Sequence, residues 1–291
     1  MSQKTQSEKN FKDAESTIVS SDEQDDGAQL LALHKFIPNL LTLMALLSGL
    51  TAIQMAFNER FETAVLLILV SAILDMLDGA TARLLDAGSE FGAQLDSLSD
   101  FLCFGVAPAF ILYVWGLDEA GKLGWIATIT LAAACGLRLA RFNSTQAELR
   151  KKPKWAKLFF SGIPAPAAAG LALFPLFIWF QAPHTFGELN FALPLIGVWA
   201  ILVGGLMVSR IPSWSSKQIR IAPKMTVPAL AFCGLTIAAL IHAPWITLSA
   251  ISIAYMISLP FTYKHYRKLE KQNQGNAEDL ADLALGAMDD N

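Results

Sequence analysis

Charge is what this sequence has least of. Of its 291 residues only 16% are Asp, Glu, Lys or Arg, against 54% that are hydrophobic, and the mean hydropathy is +0.43. That is more apolar surface than a soluble domain of this length buries. Cysteine is also scarce: Cys103, Cys135 and Cys233 stand far apart in apolar runs, with no CxxC spacing and no histidine partner. This argues against a disulfide framework or a thiolate metal site and leaves packing as their use. His34, His184, His242 and His265 are unclustered, so none reads as a general base. The formal net charge of −3 hides an uneven distribution, and no basic footprint for nucleic acid is present.

What the chain has instead is long apolar runs. Eight stretches approach the roughly 20 residues a helix needs to cross a bilayer: Phe36 to Phe57, Phe61 to Leu85, Phe91 to Leu117, Leu123 to Phe142, Phe159 to Gln181, Phe191 to Ser209, Val227 to His242 and Trp245 to Tyr263. The expected fold is all-α, a polytopic transmembrane helical bundle of about eight spans. Residues 1–30 are polar and acidic without the basic and apolar regions of a signal peptide, and read as a disordered cytoplasmic tail. Residues 31–263 form the transmembrane domain, and 264–291 a second cytoplasmic tail, basic then acidic. With both ends cytoplasmic, all of the 22 Lys and Arg except Arg60 and Lys122 fall at or near the inner side, as the positive-inside bias requires.

Against that background the segment DMLDGATARLLDAGSEFGAQLDSLSD, Asp75 to Asp100, is anomalous, because carboxylates at a membrane boundary are costly and mark function. At about 100° per residue, Asp75, Asp78, Gly79 and Ala82 share one helix face at the end of the second span. Gly92, Asp96 and Asp100 recur every four residues along the third, and a short hairpin lets the two faces oppose each other. Four converging carboxylates repel unless cations lie between them. An all-oxygen set selects a hard divalent ion, Mg²⁺ or Mn²⁺, with room for two bridged ions. Such pairs serve phosphoryl chemistry. The small residues Gly79, Ala82 and Gly92 either admit a nucleotide to the backbone or serve helix packing. Asp86 and Glu90 lie off the pattern and read as solvated.

The order Asp75-x2-Asp78-Gly79-x2-Ala82-Arg83-x8-Gly92-x3-Asp96-x3-Asp100 resembles, at every fixed position and gap, the signature of the CDP-alcohol phosphotransferase family. The resemblance implies that Asp75, Asp78, Asp96 and Asp100 bind the metals, that Asp96 and Asp100 are catalytic with Asp100 the base, and that Gly79, Ala82, Arg83 and Gly92 surround the CDP moiety. Asn39, after Pro38, is implied to reach the nucleotide or else caps its helix; Thr42, one turn on, is equally ambiguous. Family enzymes attack a CDP-linked lipid with an alcohol and release CMP, and the resemblance implies a homodimer.

Four further stretches, IPNLLTLMALLSGLTAI, LDSLSDFLCFGVAPAFILYVWG, RLARFN and GIPAPAAAG, are similar to the bacterial integral-membrane branch of the family that joins CDP-diacylglycerol to L-serine at the cytoplasmic membrane. Serine is a zwitterion, so its site needs a cation for the carboxylate and a base near the hydroxyl. Arg138, Arg141 and Arg210 lie at cytoplasmic helix ends and supply candidates, with Arg141, Phe142 and Asn143 the serine neighbours that the resemblance implies; arginines there also snorkel to lipid headgroups. The alternatives are a sister enzyme using choline, inositol phosphate or glycerol phosphate, and an ion-coupled transporter. The transporter is disfavoured because the second half of the chain carries no inverted repeat of the acidic pattern. Pro164 and Pro166 are expected to open or kink the fifth span.

Overall fold

The computed structural model describes residues 36–151, 159–182, 189–209, 211–214 and 225–289. Its elements are α1 (Phe36–Phe57), α2 (Phe61–Leu84), α3 (Glu90–Leu117), α4 (Lys122–Lys151), β1 (Phe159–Ser161), α5 (Ala165–Ala172), α6 (Phe174–Gln181), α7 (Leu189–Val208), β2 (Pro212–Trp214), α8 (Thr226–His242) and α9 (Pro244–Asp289). The expected acidic tail 1–30 lies outside the described residues.

Polarity is distributed as a lipid-facing bundle requires. Large apolar side chains such as Leu47, Leu66, Leu98 and Ile253 are exposed, while the core is rich in small residues, among them Ala45, Ala52, Ala64, Ala107 and Ala134. Lipid supplies no hydrophobic drive between helices, so close packing through small residues holds them together. α4 and α7 pack extensively against each other. No residue of α8 is buried, which places that helix at the bundle's rim.

Among the described residues five helices are long and apolar enough to cross a membrane: α1, α2, α3, Lys122–Thr145 of α4 and Pro244–Glu270 of α9; Ala192–Val208 of α7 and all of α8 are shorter. The fifth expected span differs most. Instead of one helix over Phe159 to Gln181, the chain forms β1, turns at Gly162, and then builds α5 and α6, two eight-residue helices meeting at Leu173. β1 pairs antiparallel with β2, Phe160 opposite Ser213. Gly162 has φ +83°, and a Cβ there would stand 2.5 Å from the Met207 carbonyl oxygen, so only glycine fits. Pro164 precedes α5, and Pro175 opens α6 where its missing N–H costs nothing.

α9 also departs from expectation, continuing past Tyr263 to Asp289. The Lys, Glu, Gln, Ala and Leu of that segment favour helix. Arg267 donates from Nε and Nη2 to the Tyr263 hydroxyl at 3.1 and 2.9 Å, stapling the turn that crosses the expected boundary.

The connection between α2 and α3 determines where the aspartates meet. α2 carries Glu62 in its first turn and Arg83 in its last, each favourable to the helix dipole. Leu85 and Ala87 donate back to Thr81 and Ala82 at 2.9 and 3.0 Å. Asp86 takes φ +47°, a conformation Asp tolerates better than most residues. Ser89 then caps α3, its Oγ accepting from the Gly92 N–H at 3.0 Å. Past Asp100, α3 widens into a π-helical turn over Leu102–Val106 just ahead of Pro108, where proline forfeits an intrahelical bond.

Candidate metal and nucleotide site

The hairpin sets the acidic faces of α2 and α3 against each other. Carboxylate oxygens of Asp75, Asp78 and Asp96 all lie within 4.8 Å of one another, and Asp100 is a close charged neighbour of Asp75 and Asp96. Asp78 is only 5% exposed. Its Oδ2 accepts from the Thr42 hydroxyl of α1 at 2.5 Å, and that hydroxyl also lies 3.0 Å from the Pro38 carbonyl. Oδ1 of Asp100 is buried and has no hydrogen-bond partner among the described residues. A buried acceptor left without a donor is costly, and carboxylates this close repel. Both features fit a hard divalent cation with oxygen ligands.

The small residues of the motif fall into two kinds. A Cβ on Gly92 would stand 2.7 Å from Oδ1 of Asn39, so this glycine exists to let the Asn39 side chain lie across α3. Gly79 has no such neighbour: only Nη1 of Arg83, at 3.6 Å, approaches its missing Cβ. Helix packing among the described residues therefore gives no reason for glycine at 79, and open space beside it remains for a ligand. Ala82 is half-buried and Arg83 exposed.

The residues expected around serine divide in the same way. Arg138 is half-buried and is a charged neighbour of Asp100. Asn143 donates from Nδ2 to the Ser97 hydroxyl at 2.9 Å, tying the end of α4 to α3 beside Asp96. Arg141 instead donates to the carbonyls of Val208 and Ser209, at 2.6 and 3.2 Å, which satisfies the end of α7. Phe142 is half-buried beside it, and Arg210 lies outside the described residues. Two participants carried no sequence signal strong enough to single them out: Ser97, inside the motif's variable gap, and Tyr255, a lone tyrosine in an apolar span that neighbours Arg138.

An apolar cavity of about 200 Å³ adjoins this end of the bundle. Ala72, one turn before Asp75, and Tyr255 line its near part; Val65, Phe177 and Leu248 line its far part, with Gly170 on its wall. A Cβ on Gly170 would meet nothing within 4 Å.

A bundle of apolar helices with an all-oxygen carboxylate cluster between two of them defines a class of integral-membrane proteins built to hold hard cations against an anionic ligand. The chain belongs to the CDP-alcohol phosphatidyltransferase family, whose profile matches residues 35–211, while a second profile, CDP-alcohol phosphatidyltransferase 2, matches residues 224–260. It is therefore a membrane-embedded transferase of phospholipid biosynthesis. Similar curated proteins carry the name CDP-diacylglycerol–serine O-phosphatidyltransferase. That of Mycobacterium bovis (strain ATCC BAA-935 / AF2122/97) is 36% identical over 81% of this chain and 80% of its own length. That of Helicobacter pylori (strain J99 / ATCC 700824) is 35% identical over 68% and 80%, and that of Methanocaldococcus jannaschii 34% over 62% and 76%.

Thr42 offers a test of this geometry. A hydrogen bond to a charged group contributes about 1.5–3 kcal/mol, so Thr42→Val, which keeps shape and loses the donor, is expected to lower kcat/KM about 10- to 100-fold. Thr42→Ser should stay near wild type. The measurement is CMP release by purified protein, and equal activity of the two variants would remove Thr42 from the site.

Proposed function

We propose that the protein transfers the phosphatidyl group of CDP-diacylglycerol to the hydroxyl of L-serine, giving phosphatidylserine and CMP, at the cytoplasmic face of the membrane. The observation that carries the reading is the convergence of Asp75, Asp78, Asp96 and Asp100; the names of the relatives support serine as the acceptor. The distribution of Lys and Arg supports the cytoplasmic placement.

Asp75, Asp78, Asp96 and Asp100 would hold Mg²⁺ or Mn²⁺, as one ion or a bridged pair. When bound, the metal supplies charge neutralisation for the diphosphate and for the departing CMP. Asn39, Gly79, Ala82 and Arg83 surround the nucleotide, the bare surface at Gly79 admitting it close to α2. Asp100 takes the proton from the serine hydroxyl; the serine oxygen bonds to the phosphorus that bears diacylglycerol, and the bond from that phosphorus to the bridging oxygen of CMP breaks. Arg138, beside Asp100, is placed to meet the serine carboxylate, and Asn143 steadies α3 through Ser97. The sequence offers no evidently activated serine, cysteine or histidine near the motif, which favours direct displacement.

The cavity beside Ala72 suits one acyl chain of the donor. Gly170→Leu, at a position where a Cβ meets nothing within 4 Å, should narrow it, and the KM for long-chain CDP-diacylglycerol is then expected to rise several-fold while that for a short-chain analogue changes little. Equal effects on both would exclude this placement.

The acceptor is tested with purified protein, CDP-diacylglycerol, Mg²⁺ or Mn²⁺ and radiolabelled serine, choline, inositol phosphate or glycerol phosphate. CMP release with serine alone supports the reading; release with another of the four reassigns the acceptor.

A further inference from the structure

Beside the carboxylate cluster, a set of buried polar contacts joins three helices. The stretch Glu90–Phe101 of α3 scarcely approaches α2 backbone to backbone, as it must if a ligand is to enter between them. Four carboxylates push the two helices further apart. The hairpin ties them at one end, and beyond the cluster Leu102–Leu112 of α3 packs directly on α2.

α1 supplies a further tie, through hydrogen bonds to both helices on either side of the cluster. Thr42, Ala45 and Gly49 follow one another on a single face of that helix. Thr42 donates to Asp78 of α2 at 2.5 Å, and its carbonyl accepts from Ser99 of α3 at 3.3 Å. One turn along, the Ala45 carbonyl lies within hydrogen-bonding reach of both helices: 3.0 Å from the Ser71 hydroxyl of α2, whose proton is shared with the Leu67 carbonyl at 3.0 Å, and 3.2 Å from the Cys103 thiol of α3. Ala45, Ser71 and Cys103 are 1%, 0% and 1% exposed. At Gly49 a Cβ would stand 2.6 Å from Sγ and 3.3 Å from Cα of Cys103 and 3.0 Å from Cδ2 of Leu102, so α1 presents bare backbone to these two residues of α3. Ser71 lies one turn before Asp75 and Cys103 one turn after Asp100, so the cluster is bracketed by the hairpin on one side and the Ala45 carbonyl on the other.

We infer that α1 is a splint that fixes the separation of the two aspartate-bearing helices, and that Ser71 and Cys103, both hydrogen-bonded to the Ala45 carbonyl, are positioning residues for the metal-binding carboxylates. Neither touches the reacting atoms. Their hydrogen bonds work against carboxylate repulsion, and losing one lets the ligand oxygens drift from the spacing a divalent ion needs. The inference rests on the reading of the aspartates as metal ligands.

Direct Mn²⁺ binding to the purified full-length chain, followed by the electron paramagnetic resonance signal of free Mn²⁺, tests it. Ser71→Ala and Cys103→Ala are each expected to bind Mn²⁺ about three- to tenfold more weakly, the range for one interhelical hydrogen bond in a membrane protein. Cys103→Ser keeps a donor and should restore wild-type binding, a rescue that loss of packing would not show. Trp199→Phe removes the 2.8 Å bond from Trp199 Nε1 to the Leu171 carbonyl, remote from the cluster, and should lower the melting temperature without moving Mn²⁺ affinity. If Ser71→Ala fails to fold, the Cys103→Ala and Cys103→Ser pair decides. Unchanged affinity in the alanine variants, or equal loss in Trp199→Phe, overturns the splint while leaving the metal site standing. No binding by the wild type overturns both.

Discussion

Replacing Asp100 with asparagine is expected to lower kcat by about 10²–10⁴-fold, the contribution typical of a positioned general base. The substitution is nearly isosteric, so the fold persists. Oδ1 of Asp100 is buried, without a donor among the described residues, and Arg138 lies beside the group. Asparagine in that place can neither accept the serine proton nor contribute charge to a cation. The sign of the stability change separates this from simple damage: with one of four mutually repelling carboxylates gone, the metal-free variant should melt no lower than the wild type. CMP release and thermal melting of the same preparation check both statements. Near-normal turnover would remove the base from Asp100; a large fall in melting temperature would make the loss structural.

Removing divalent metal should have a comparably large effect on turnover, and a visible one on stability. Asp75, Asp78 and Asp96 hold their oxygens within 4.8 Å of one another, an arrangement that costs free energy until a cation is added. A chelator is expected to abolish CMP release, and Mg²⁺ or Mn²⁺ added in excess to restore it. An ion bound by the folded chain and not by the unfolded one would add, by linkage, about 2.7 kcal/mol at a metal concentration a hundredfold above Kd. The melting temperature should therefore rise with metal in the wild type and much less in Asp78→Asn. Choline chloride at matched ionic strength is the control for simple screening. Activity that survives chelation, or a melting temperature indifferent to metal, would show that the cluster does not hold cations.

The site was more legible in the sequence than the fold around it, and the reason lies in periodicity. Asp75 and Asp78 sit three apart and Asp96 and Asp100 four apart, so helical geometry alone aligns each pair, and the five-residue link from Leu85 to Ser89 leaves the two faces little choice but to oppose each other. Hydropathy fixed α1 to α4 well, since each is a single run broken by turn residues. It failed at Phe159 to Gln181, where mean apolarity is blind to Gly162 and Pro175, which set off a short strand and a second helix, although Pro164 and Pro166 were expected to open or kink the span and do open the first helix. It also stopped α9 at Tyr263, where the chain ceases to be oily but not to be helical.

The same limit applies to side chains. Asn39 and Gly92 were separate candidates in the sequence, and only the approach of α1 to α3 reveals them as one contact. Arg141 was expected beside serine, yet two of its bonds close the end of α7, a partner nearly seventy residues away that no local pattern announces. Ser71 and Cys103 offer no signal at all as isolated letters in apolar runs. Their role depends on a third helix presenting one carbonyl to both.

The central claim, that two hairpin-linked helices hold a divalent cation between their carboxylates to receive the diphosphate of a CDP-lipid, is tested most directly by anomalous diffraction at the manganese edge from crystals grown with Mn²⁺ and a CDP-lipid. The account predicts anomalous density enclosed by Asp75, Asp78, Asp96 and Asp100, with the diphosphate against it and the cytidine beside Gly79. Manganese bound elsewhere, or a nucleotide lodged away from α2 and α3, would contradict it.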